Sequence, residues 1–143
     1  MVNLLEHTPY REGTHPVFTS SENGCTHVGK NVSLEKIRQF KVDGGVIPKN
    51  AQESRCDYLL LNDDKKTARY IELKGSDIEK AISQIEKTIE MIHPSIPAYQ
   101  IYRRIVFRTG SHSVNSRIVT NWKKRYGKNN GAVISERKYE ENI

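Results

Sequence analysis

Apolar and polar positions change period several times along the chain, and each change marks an element. Residues 55–61 (RCDYLLL) and 67–73 (TARYIEL) are rich in β-forming side chains and flank the polar run Asn62–Lys66. This pattern predicts a hairpin with a five-residue loop. The first run has apolar residues on both faces, so its sheet should be covered on both sides. Ser76-Asp77-Ile78-Glu79 reads as a capping box, and Ile78, Ala81, Ile82, Ile85, Ile89 and Ile92 recur at helical spacing until His93-Pro94 ends the helix. Residues 99–107 suit a third strand. Residues 115–126 suit a second helix, with Ile118, Val119, Trp122 and Tyr126 inward and Gly127 beyond its end. Residues 132–135 suit a last strand.

Upstream the signals are weaker. Ser33 predicts a cap for a short helix over residues 34–41, with Leu34, Ile37 and Lys41 on one face and Asp43-Gly44-Gly45 ending it. Residues 1–32 mix Gly, Pro, Thr, Ser and His without periodicity and read as irregular, apart from a short strand near residues 17–19. The expected order is α-β-β-α-β-α-β, an α/β fold with a mixed central sheet flanked by helices. The chain should form one domain: an irregular segment (1–32), a core (33–107) and a basic C-terminal helix and strand (108–143).

Charge then narrows the partners. The net charge is +6, and residues 99–143 hold ten Lys/Arg against three acids. A basic third of this kind suits a polyanion. Arg117, Lys123, Lys124, Arg125 and Lys128, on or just after the last helix, are the expected backbone contacts, with Arg103, Arg104 and Arg108 flanking the third strand. No apolar run is long enough for a membrane span. Cys25 and Cys56 read as free thiols in a reducing compartment, so a cytoplasmic location is expected. Cys25, Cys56, His7, His15 and His27 lack CxxC or HxxxH spacing and do not read as a zinc site. His112 lies in a polar run read as a solvated loop.

The chemistry concentrates in Asp57, Glu72 and Lys74. Residues two apart on a strand share a face, so Glu72 and Lys74 project together. A hairpin centred between Asp64 and Lys65 puts Asp57 opposite Glu72 on that same face, with Cβ atoms roughly 5 Å apart. Carboxylates that close repel unless a cation lies between them, and Mg2+ accepts few protein carboxylates plus water and phosphate. The plain alternative is an ion-pair ladder on a half-exposed strand.

This pattern resembles the PD-(D/E)xK nuclease superfamily, with its restriction-endonuclease-like fold of core order αβββαβ. Cys56-Asp57 stands where that family has Pro-Asp, and Glu72-Leu73-Lys74 stands as (D/E)xK. The resemblance implies that Asp57 and Glu72 bind Mg2+, with Mn2+ as a substitute, and that Lys74 assists the nucleophile. It implies supporting roles for Gln84 on the following helix and Glu35 on the preceding one. Thr88 stands where a Tyr is often found. The expected activity is a metal-dependent DNA endonuclease, of restriction or junction-resolving type, acting as a homodimer or within a larger assembly. The competing class is a catalytically inactive nucleic-acid-binding module with the same fold.

Overall fold

A computed structural model of the chain, describing residues 2–109 and 115–143, gives a mixed α/β fold of two sheets and two α-helices. The strands are β1 (Arg11–Gly13), β2 (Val17–Glu22), β3 (Cys25–Lys30), β4 (Ile37–Lys41), β5 (Tyr58–Asn62), β6 (Thr67–Lys74), β7 (Gln100–Phe107), β8 (Ala132–Glu136) and β9 (Lys138–Asn142). The helices are α1 (Ile78–Ile92) and α2 (Arg117–Tyr126). His112 lies outside the described residues. No helix among the described residues is long and apolar enough to cross a membrane.

Six strands form the main sheet in the order β1-β4-β5-β6-β7-β8. β4, β5 and β6 run antiparallel in turn, and α1 then carries the chain to β7, parallel to β6. β8 is parallel to β7. The expected register holds: Tyr58 pairs with Ile71, so Asp57 enters the sheet opposite Glu72. The loop is four residues, one fewer than expected, because Asn62 belongs to β5 and accepts from the Asp64 and Lys65 N–H groups.

Alternation on β5 and β6 feeds two cores. Leu59, Leu61, Ala68 and Tyr70 face the helices, joining Ile78, Ala81, Ile82 and Ile85 of α1 and Val119 and Trp122 of α2. Tyr58, Leu60, Ile71 and Leu73 face the other way, onto Phe18, Cys25 and Ile143. That second face is covered by the smaller sheet, β2-β3-β9.

Two expectations fail upstream. Residues 37–41 form β4 instead of a helix, so the sequence of elements through the sheet is β4-β5-β6-α1-β7 with no α-helix before it among the described residues. Asn31 explains part of this. Its side chain bonds the Glu35 N–H and C=O and the His15 C=O, which fixes a turn with Leu34 at φ 50°, a conformation no helix interior takes. Residues 1–32 are also not irregular, since they hold three strands. β2 and β3 are joined by Asn23-Gly24, both at positive φ, the pair that a two-residue hairpin turn favours. Ile118 is exposed, not inward, while Val119 and Trp122 are buried as expected.

The two sheets are fastened by a buried ion cluster on β9. Glu141 accepts from Arg104 Nε and Nη2 at 2.8 and 3.0 Å and lies 2.7 Å from His27 Nε2. Arg69 Nε is 3.2 Å from the same carboxylate, though misaligned for a hydrogen bond. Arg104 and Arg69 are thereby structural cations, and Arg103 is occupied by Glu86 at 2.6 Å; the first and last of these are not the free phosphate contacts that the strand's charge suggested. Burial raises the Glu141 carboxyl, but the hydrogen bonds from His27 and Arg104 and the charge of Arg69 outweigh it and hold it at about 2. Removing this carboxylate leaves two guanidinium groups without a counter-charge. Glu141→Ala should therefore cost about 3–5 kcal/mol in urea denaturation. A depressed carboxyl stabilises the fold above its unfolded pKa, so the wild-type advantage should shrink as pH falls from about 4 toward 2.

Candidate metal and phosphodiester site

The main sheet brings one end of its strands together. β4, β6, β7 and β8 end there and β5 begins there. In open α/β sheets this carboxyl end is where ligands sit, because the loops leaving it are free to vary.

Asp57 reaches this end on a backbone bonded to both neighbours. Its N–H donates to Ile71 O at 3.1 Å, and its C=O accepts from Val42 N at 2.9 Å. Its side-chain Oδ2 accepts the Leu73 N–H at 2.9 Å. These bonds make a register slip costly, because every residue of β5 would change face. Glu72, on the helix-facing side of β6, is 2% exposed. Lys74 Nζ lies 4.0 Å from Glu72 Oε2. A ladder on a half-exposed strand needs exposed partners, and Glu72 is not one.

Asp57 stands opposite Glu72 in register, and each carboxyl shifts the titration of the other. Burial raises both above the ordinary carboxylate range. Glu22 and Asp43 add to the rise at Asp57 against the Leu73 N–H bond, and the charge of Asp57 adds to it at Glu72 against Lys74. Glu72 is raised further. Asp57 Oδ2 has the Leu73 N–H, but Glu72 Oε1 is buried without a donor. Either a proton or a cation must stand between them.

α1 supports the acids from behind. Thr88 Oγ1 donates to Gln84 O at 2.7 Å and accepts the Cys56 N–H at 2.8 Å. Gln84 Nε2 donates to Arg55 O at 3.1 Å, while its Oε1 is buried without a donor. Arg55 in turn holds Asp43 and the carbonyls of Lys49, Ala51 and Glu53. Gln84 and Thr88 thus fix Arg55 and Cys56, the two residues leading into Asp57. Thr88, which stands where the resemblance led one to expect a Tyr, is a buried clamp on the Cys56 amide.

Glu35 is not part of this group. It lies before β4, where Lys65 Nζ (3.2 Å) and Asn62 Nδ2 (3.2 Å) hold its carboxylate at the hairpin-loop end of the sheet. Its expected helix does not form, so nothing carries it to the acids. The charges that sequence reasoning passed over are Glu22 and Asp43, which act on Asp57, and Arg137, which acts with the expected Arg108 on Cys25. The Asn23-Gly24 pair signals the turn that brings Glu22 here; Asp43 was read only as a helix stop.

Arg117, Lys123, Lys124, Arg125 and Lys128 are exposed and form no ion pair among the described residues. They spread along α2, which runs back from the site end of the sheet, so Lys128 stands roughly 16 Å from Arg117. The basic turn at Lys123–Lys128 is therefore at the far end from Asp57.

Among the described residues no three His, Cys, Asp or Glu side chains form a metal-binding group. The donor set nonetheless fits Mg2+, which keeps several waters and uses one or two carboxylates with substrate oxygens. Glu72 Oε1 and Gln84 Oε1 are both buried without a hydrogen-bond partner. No protein-family model, curated protein or solved structure matches the chain.

Raised carboxyls have a definite linkage. The folded state holds a proton that the unfolded chain gives up near pH 4, so metal-free stability should fall as pH rises from about 4 through the raised pKa values. Glu72→Gln should flatten that fall. His93, which burial pushes down, works in the opposite sense below about pH 6.5, so the difference between wild type and variant isolates the carboxyl pair. Thermal melts in EDTA between pH 5 and 9 measure it, and added Mg2+ should restore more stability at pH 8 than at pH 6.

Proposed function

We propose that the chain is a Mg2+-dependent nuclease of restriction-endonuclease-like type that cuts DNA internally as a homodimer. The observation that carries this reading is the facing of Asp57 and Glu72 beneath the carboxyl end of the sheet, with Lys74 beside them and Glu72 Oε1 without a donor. The β4-β5-β6-α1-β7 order, with the acids where β5 begins and β6 ends, supports it too. So does the attachment of Gln84 to the strand that carries Asp57.

In this reading Asp57 and Glu72 hold the cation, and the bonds from Leu73 and Thr88 fix where it sits. Bound Mg2+ supplies a lowered water pKa and charge stabilisation at the leaving oxygen. Lys74 has two tasks open to it: neutralising a non-bridging phosphate oxygen as charge builds, and orienting the attacking water. Gln84 Oε1 offers an acceptor for that water. The exposed cations of α2 add sequence-independent attraction for the backbone. A second protomer offers a second copy of the site for the other strand.

Supercoiled, linear, single-stranded and branched DNA, incubated with Mg2+, Mn2+ or EDTA, test the activity. Asp57→Ala and Glu72→Ala should abolish cleavage while leaving the melting temperature in EDTA equal to or above that of wild type, since each relieves the carboxylate repulsion. Lys74→Ala should lower turnover by about 100-fold or more and leave Mg2+ affinity largely intact. Retained cleavage in either acid variant would sink the reading.

A further inference from the structure

We propose that Arg108 and Arg137 form a phosphate clamp that grips a nucleic-acid strand beside the phosphodiester facing Asp57, Glu72 and Lys74; the clamp rests on the nuclease reading of that site. Phe107 of β7 pairs with Glu136 of β8 in parallel register, so the next residues, Arg108 and Arg137, leave the sheet side by side at its carboxyl end. The Arg108 N–H reaches Lys74 O and Gly75 O at 3.1 and 3.2 Å, one strand from the acids.

The β2–β3 turn packs against the same end. Asn23 Nδ2 donates to Leu73 O at 2.8 Å, and Cys25 Sγ lies 3.4 Å from Lys74 O. The Arg108 stem crosses this turn at Gly24, where an added Cβ would come within 3.2 Å of Arg108 Cδ. Both guanidinium groups act by charge on the Cys25 thiol.

Arg137 has a conformation that argues for a purpose. It sits at φ 64°, where glycine or asparagine is comfortable and a long side chain is not. Its N–H donates to Phe107 O at 2.7 Å in one sheet, and its C=O accepts from Thr26 at 2.9 Å in the other. An arginine at this crossing carries backbone strain that glycine would avoid.

The contrast with other arginines gives the ligand class. Arg38, Arg55, Arg69, Arg103 and Arg104 each have a carboxylate within 3.2 Å. Arg108 and Arg137, like Arg11, Arg117 and Arg125, are exposed with none within ion-pair distance among the described residues, and of these five only Arg108 and Arg137 follow the paired ends of β7 and β8. Two unpaired planar forks beside a cation site suit a phosphodiester oxygen pair, which guanidinium groups hold in bidentate fashion. The strand then passes over the carboxyl ends of β6, β7 and β8, and the last turn of α2 is not its main anchor.

The double variant Arg108→Gln/Arg137→Gly tests the clamp, because glycine suits φ 64° and spares the fold. A labelled duplex and a labelled single strand are titrated in EDTA at several salt concentrations, and cleavage is measured separately with Mg2+. The expected result is a salt slope flatter by roughly 2 units, an unchanged or higher melting temperature, and at least about tenfold slower cleavage. If the double variant folds poorly, Arg137→Gly alone should flatten the slope by about 1 unit. An unchanged slope in a folded variant overturns the clamp, as does a wild type that binds neither probe. The two readings separate cleanly. A flattened slope in a protein that cuts nothing keeps the clamp and ends the nuclease reading, whereas cleavage with an unmoved slope does the reverse.

Discussion

Two carboxyl groups that face each other below the surface cannot both be charged without help, and much of the chain is organised around keeping them there. Asp57 is held by the Leu73 N–H, and the residues before it by Thr88, Gln84 and the Arg55 network. These bonds come from β6, α1 and the loop after β4, so α1, that loop and the β5–β6 hairpin are positioned together. Desolvation costs free energy at Asp57 and Glu72 that an apolar pair would not cost, and the fold offsets it through the covered sheet around them. Proteins commonly accept such a cost at positions that bind or react.

The covered sheet depends on having two different lids. α1 and α2 shield one face, and the small β2-β3-β9 sheet shields the other. That second lid is attached through an apolar core and through a charged group: Glu141 of β9 reaches between the sheets to Arg104, Arg69 and His27. An ion cluster demands a specific arrangement of donors, where an apolar contact tolerates sliding. The lid also sets the edge of the site, since its Asn23-Gly24 turn docks on the end of β6.

Much of the central fold was legible because its signals are local. Period-two runs around Asn62–Lys66, the isoleucine stripe of α1 and the His93-Pro94 stop each rest on neighbours in sequence, and the acid pair follows from the hairpin register. The Ser33 cap failed because Asn31 competes for the same backbone, turning Glu35 back on itself before any helix begins. β3 was missed, and β2 was expected only near residues 17–19, although Asn23-Gly24 is a strong turn signal, since polar Thr, Ser and His residues mask the alternation around it. β9 has no local signature: KYEEN is a strand only because β3 lies beside it. Glu141 likewise reads as a surface acid until two arginines from other strands surround it. The Arg108–Arg137 pair could not be anticipated either, because it depends on the β7–β8 register.

The pairing of β3 with β9 joins residues from opposite ends of the sequence, and His27 and Glu141 are 114 positions apart. Closing so long a loop carries an entropic penalty that hairpins such as β5–β6 largely escape. Contacts of this range slow folding and tend to form after local ones. The acid-bearing hairpin and α1 can therefore assemble early, and the small sheet seals against them late. The same ordering applies to local opening from the native state, where the least locally supported unit releases first. A brief detachment of β9 would swing away Arg137 and loosen the Asn23-Gly24 turn while leaving Asp57 and Glu72 in register.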